Sequence, residues 1–188
     1  MKRKASYRLA TVPPPVPLSV YACKALQGKR CAVAWNYDVF LNIRGPDTRT
    51  GFVDFLYNSL VAARVHVFRD NDVLPVGEEI GPELLWAIRS CRIAIPIISE
   101  QYAQSKWCLR ELNEIMDCHV ELGISVFPVF YKVDVVDVRR RSGKFGEALS
   151  KQEKQGRREE VLRWKYALSF VASIREWISQ AIANGHEG

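Results

Sequence analysis

The sequence predicts an α/β domain built on a parallel sheet, and three observations predict it. Short runs that are apolar nearly end to end recur along the chain, and amphipathic patterns at helical spacing separate them. The chain has 188 residues, 48% hydrophobic and 26% charged, which is the balance of one globular domain with room for a core. Strands apolar on both faces, alternating with helices, imply a sheet covered on both sides through right-handed crossovers. The ligand site of such a sheet lies outside the carboxyl ends of its strands.

The elements follow in order. YDVFLNI (Tyr37 to Ile43) is a strand of aromatic and β-branched residues that stops at the turn formers Gly45 and Pro46. Phe52, Phe55, Leu56, Ser59, Leu60 and Ala63 mark a helix face, and VHVF (Val65 to Phe68) is the second strand. Asp70 to Gly77 reads as a long polar loop, which in a compact domain is often functional, and a helix follows around Pro82 to Arg89. RIAIPII (Arg92 to Ile98) is the third strand. A helix beginning near Ser105 or Lys106 then carries Leu109, Leu112, Ile115, Met116 and Val120 on its apolar face, and SVFPVFY (Ser125 to Tyr131) is the fourth strand. Beyond Asp134 the reading is a charged loop (Arg139 to Lys144), a short helix near Phe145 to Ser150 and a last helix from about Glu159.

Composition removes several function classes. No apolar run approaches the roughly 20 residues a membrane-spanning helix needs. Five cysteines (Cys23, Cys31, Cys91, Cys108, Cys118) without a C-x-x-C pair suggest neither a disulfide framework nor zinc, and three histidines make a multi-histidine metal centre unexpected. A reducing, intracellular setting fits this usage. The net charge of +6 is not a property of the fold: residues 1 to 37 hold seven basic side chains and no acid, and the rest holds 20 basic against 21 acidic. Residues 1–35, with PPPVP at Pro13 to Pro17, therefore read as a basic extension, residues 36–178 as the domain and 179–188 as a polar tail. The extension is read as an unselected leader, an organelle address or, through Lys2 to Lys4, a nuclear signal.

The loops after the strands carry the chemistry. Arg44-Gly45-Pro46-Asp47 lacks the glycine spacing of a dinucleotide fingerprint, and no G-x-x-x-x-G-K-[ST] occurs, so neither a dehydrogenase nor a P-loop kinase is expected. The acidic pair and phosphoacceptor of a receiver domain are also missing. Arg44 and Arg49, around Asp47 and Thr48 at a helix start, either receive phosphate oxygens or merely cap the helix and pair on the surface. In the third loop, Trp107 and Glu111 are four apart and share a helix face with Glu114, apart from the apolar stripe. They either stack a flat ring over a sugar with a carboxylate below, or serve as a core indole and a solvated acid. Cys108 on the same turn has no histidine placed to activate it and reads as a structural thiol.

The strings YDVFLNIRGPDTR, VFRDNDVLPVGEEIGPELLWAI, IAIPIISEQYAQSKWCLRELNEI and VFPVFYKVDVVDVRRRSGKFGEA, in this order and spacing, resemble a plant Toll/interleukin-1 receptor (TIR) domain over about residues 36 to 175. The resemblance implies a flavodoxin-like TIR fold, a parallel sheet of about five strands with helices on both faces. It also implies action in plant innate immune signalling by cleavage of the nicotinamide–ribose bond of NAD⁺ or NADP⁺, giving nicotinamide and ADP-ribose or cyclic variants. Carried over by motif, Glu111 of the S-x-W-C-x-x-E-L block is the catalytic glutamate, and Trp107 lines the nicotinamide end. Arg44 to Arg49 hold the nucleotide phosphates, Gly45 and Pro46 contribute shape and backbone, and Gly77 borders the substrate. No cofactor beyond NAD⁺ and no metal is implied.

The family also implies that the domain is a weak enzyme alone and is activated when copies assemble, as a stand-alone TIR protein or a fragment of a TIR-type receptor. A cytoplasmic or nuclear location is expected. Three departures stand out: Asn42-Ile43 where Ser-Phe is commoner, Val135-Val136 for a usual Pro-Ser, and Asp54-Phe55 where some relatives place Ser-His at a self-association surface. Two competing functions remain beside the nucleosidase. One is a non-enzymatic scaffold that only binds other TIR domains. The other is a nucleic-acid-processing cyclic nucleotide synthetase whose handle would be the basic extension.

Overall fold

Tyr37 to Asn42 form strand β1 in the computed structural model, which describes residues 35–45, 51–69 and 81–183, with side chains described through residue 174. The described chain continues through α1 (Phe52–Ala62), β2 (Val67–Arg69), α2 (Pro82–Arg89), β3 (Cys91–Ser99), a 3₁₀ turn (Tyr102–Gln104), α3 (Lys106–Leu122), β4 (Ser125–Val126), β5 (Val129–Tyr131), α4 (Val135–Arg140), α5 (Gly143–Lys154) and α6 (Arg158–Ala183). The expectations for residues 1–34, for Pro46 to Arg49, for the loop holding Gly77 and for the last residues of the tail lie outside the described residues.

The sheet has five strands, all parallel, in the order β2-β1-β3-β4, with β5 also on β3. β4 and β5 are one strand line interrupted once: Ala94 faces Val126 and Ile97 faces Val129, so the register is unchanged across the gap. Pro96 and Pro128 fall in that gap, and neither has an N–H to give the ladder. The expected single strand from Ser125 to Tyr131 is therefore two short ones, joined by the Phe127 N–H bond to the Ala94 carbonyl at 3.0 Å.

Alternation along β1 divides the core in two. Phe40 faces one side with Ala94, Ile98, Val126 and the buried stripes of α3, α5 and α6. Val39, Leu41 and Ile43 face the other with Ile97 and α1. On α1 the expected face is met in part: Val53, Leu56, Tyr57 and Leu60, spaced i, i+3, i+4, i+7, pack on the sheet-side core, and Phe55 is 72% exposed. Of the expected face, Phe52, Leu56 and Leu60 pack against the core, and Phe55, Ser59 and Ala63 are exposed.

Beyond Asp134 the chain first forms α4, which takes in Arg139 and Arg140 of the expected charged loop, while α5 takes in its Gly143 and Lys144. Asp134 caps α4 by accepting from the Val136 N–H at 2.7 Å, and the chain leaves it at Arg141 in the left-handed region. Six residues rich in valine are too short and too β-branched to show helical period. The turn into α5 depends on Gly146, where a Cβ would stand 1.9 Å from the Arg141 carbonyl oxygen.

Candidate active site

The carboxyl ends of β1 and β3 lie side by side, with β2 beyond β1 on one side and β4/β5 beyond β3 on the other. Chain order reverses between β1 and β3, which is the crevice where open α/β sheets bind ligands. β1 ends in Asn42, a polar residue fully buried at the close of an apolar run. β3 ends in Ser99, and the 3₁₀ turn that follows buries Tyr102 completely. Helix α3 starts at this edge because Ser105 caps it, its side chain accepting from the Cys108 N–H at 3.3 Å.

These elements bring three polar side chains together. The Asn42 amide Nδ2 donates to Glu111 Oε2 at 2.7 Å, bridging β1 to the second turn of α3. The Tyr102 hydroxyl donates to Asn42 Oδ1 and lies 2.9 Å from the Cys108 carbonyl. Burial, reinforced by Cys108 and Glu111, pushes the Tyr102 phenol well above its ordinary value, so it keeps its proton and remains a donor. The Cys108 thiol points back to the Ile43 carbonyl at 3.4 Å and is buried, which agrees with a structural thiol. Burial likewise pushes the Cys91 and Cys118 thiols up to about 12.

Glu111 is 2% exposed and belongs to the buried side of α3 with Cys108, Leu109, Leu112 and Ile115. The sequence reading placed it on a face apart from the apolar stripe; the stripe instead includes it, because α3 lies over the end of β1 where Asn42 needs an acceptor. Glu114, one turn on, does not join the site and accepts from Arg89 of α2 at 2.6 Å.

Trp107 is half-buried, with Lys106 Nζ 4.7 Å and the Arg110 guanidinium carbon 5.3 Å from its ring centre. Arg110 is itself held by Glu160 of α6 through two hydrogen bonds of 2.8 and 3.0 Å, and that arginine keeps the Glu160 carboxyl below the usual glutamate range. The indole is thus flanked by two cations. Arg44, half-buried, donates to Gln101 Oε1 at 3.2 Å, and Gly45 is buried beside it. Glu111, Arg44, Gly45 and Trp107 accordingly all sit at one edge of the sheet.

Sequence reasoning passed over the two residues that hold Glu111. Asn42 drew notice only as a departure from serine, and Tyr102 drew none. The signal for Asn42 was there: an amide closing a strand otherwise buried on both faces needs a partner. Among the described residues no group of three or more His, Cys, Asp and Glu side chains could hold a metal ion, and no helix is long and apolar enough to cross a membrane.

The comparisons with known proteins agree with this architecture. The family model described as TIR domain matches residues 36–187. Disease resistance protein RPV1 of Vitis rotundifolia is 47% identical over 141 residues, covering 75% of this chain and 10% of that protein. Disease resistance protein TAO1 of Arabidopsis thaliana is 44% identical over 153 residues, covering 78% and 13%. The chain therefore spans about a tenth of the length of such relatives. Among solved structures, the TIR domains of the activated Roq1 resistosome directly recognizing the pathogen effector XopQ superpose with a TM-score of 0.69 at 42% identity, covering 73% of this chain and 84% of that one. With most of its length matched by the family model and its five parallel strands in the order described, the chain belongs to the TIR domain family.

Proposed function

We propose that this chain is an NAD⁺ nucleosidase, with NADP⁺ as a second substrate, acting in plant immune signalling when copies of the domain assemble. The observation that carries the reading is the Glu111 carboxylate, fixed by Asn42 at the β1–β3 crevice within the motif block that carries the family's catalytic glutamate. Arg44 and Gly45 at the same edge suit a phosphate-bearing substrate, and the resistance proteins that resemble the chain supply the immune context.

The chemistry asks little of the protein. Nicotinamide in NAD⁺ is already cationic, so when its bond to the ribose anomeric carbon breaks the electron pair goes to the ring nitrogen and a neutral base leaves. No general acid is needed. One carboxylate suffices to stabilise the oxocarbenium-like ribose or orient its hydroxyls. Water then attacks the anomeric carbon and loses a proton, or an adenine nitrogen attacks and a cyclic product forms. At 2% exposure in a single copy Glu111 is closed to substrate, so the reading requires assembly to uncover it. The Roq1 neighbour is an assembly of TIR domains, which supports self-association as that step.

The test is nicotinamide release from protein at high concentration or on a crowding surface, with product chromatography. Release is expected to fall by about 10²- to 10³-fold in Glu111→Gln, which keeps the shape and removes the charge, and to be lost in Glu111→Ala. Release by either variant equal to that of the wild-type protein would reject the assignment. The burial of Glu111 favours one second reading, a scaffold in which this acid only holds α3 to β1. Partner TIR binding without nicotinamide release under assembling conditions would support that one instead.

A further inference from the structure

A carboxylate that must meet a developing positive charge has to be ionised and aimed, and Glu111 does not aim itself. Its Oε2 receives Asn42 Nδ2 at 2.7 Å, and both side chains are buried. The two ends of an asparagine amide are nearly identical in shape, so their neighbours decide which end faces the acid. Here the Tyr102 hydroxyl and the Glu111 carboxylate decide it together. With the hydroxyl proton on Asn42 Oδ1, the amide must turn Nδ2 to Glu111 and hold it as an ionised acceptor. With the proton turned instead to the Cys108 carbonyl, 2.9 Å away, the phenol oxygen becomes an acceptor suited to Nδ2. The amide oxygen would then face Glu111 and favour its protonated form. The hydroxyl serves either arrangement, and with Glu111 ionised its proton lies on Asn42 Oδ1.

We propose that Asn42 and Tyr102 are positioning residues for Glu111, a buried relay in which the phenol fixes the amide and the amide holds the carboxylate charged and aimed at the β1–β3 crevice. Asn42 is fully buried and reaches substrate only through Glu111. The catalytic consequence rests on the nucleosidase reading, but the link itself does not.

The experiment separates the two. In the full 188-residue chain with ¹³C-labelled glutamate, the Glu111 side-chain carboxyl resonance, assigned with Glu111→Gln, is followed by NMR against pH. Glu111 and Cys108 both act electrostatically on the Tyr102 phenol, so the three groups are followed together. In Tyr102→Phe, which keeps the ring packing, and in Asn42→Leu, of similar volume without the amide, the midpoint is expected to rise by about one pH unit as the ionised form loses its aligned donor. A midpoint unmoved in both variants, with only a lower melting temperature, would overturn the proposal and leave the two residues structural. In the nicotinamide assay Tyr102→Phe is expected to lower kcat about tenfold with KM unchanged. If wild type releases no nicotinamide the nucleosidase reading fails, and the titration still decides the relay.

Discussion

The two ends of the sheet solve the same packing problem with opposite materials. At the amino end Tyr37 lies against His66, Phe68 and Trp86, with ring centres 4.8, 5.2 and 5.8 Å apart. The charged groups there stay at the surface: the Asp38 carboxylate accepts from the His66 N–H at 2.9 Å and approaches Arg92 at 4.0 Å. At the carboxyl end the order is reversed, with the amide of Asn42, the phenol of Tyr102 and the carboxylate of Glu111 all taken out of water. Burying a charge costs free energy unless its partners are in place, so a fold gains nothing from putting one there when apolar side chains would fill the space. The amino end has the economy of a structural edge, and the carboxyl end that of a site.

That contrast breaks or sharpens under substitution. The largest stability effect is expected from Tyr102→Ala, which removes a fully buried ring and its hydroxyl together and should cost roughly 3–5 kcal/mol in urea unfolding. Tyr37→Ala at the amino end, half-buried, should cost about 2 kcal/mol and leave per-molecule nicotinamide release unchanged. A large loss of release in a folded Tyr37→Ala protein would erase the distinction between the two ends. The smallest effect belongs to the exposed pair beside the site. Arg110 holds the Glu160 carboxyl below its unfolded value, so the pair's stabilisation is present above the ordinary glutamate range and is lost as pH falls through the lowered folded value. With the Glu160 side chain 40% exposed, solvent screening limits that contribution to under about 1 kcal/mol. Glu160→Gln should therefore flatten the acid limb of a thermal-unfolding series only slightly.

Much of the architecture was legible because it depends on periodicity. The alternation that buries Val39 and Leu41 on one side and Phe40 on the other, and the Leu109–Leu112–Ile115–Met116 stripe on α3, are properties of single segments. On α1, period alone found Phe52, Leu56 and Leu60 but set the edge of the stripe at Phe55, whereas packing in the cluster with Val67 and Ile95 sets it at Val53 and Tyr57. The split of the fourth strand needed Pro96 and Pro128 to be brought to the same level, although they are far apart in sequence. The site was readable only in part: the motif block named Glu111 and Trp107, but neither the burial of the acid nor the cations beside the indole follows from spacing along one helix.

The sequence by itself determined the parallel α/β layering, the places where strands end in polar loops, and the motif blocks that mark the family, because each depends on neighbours within a dozen residues. Tertiary structure alone decided which polar residues near the strand ends meet. Asn42, Tyr102 and Glu111 stand 60 and 69 positions from one another in their two contacts with the amide. Only the packing of α3 across the ends of β1 and β3 closes those distances and converts three unremarkable polar residues into one hydrogen-bonded unit, since a buried polar group takes its partner from whatever the fold brings within reach.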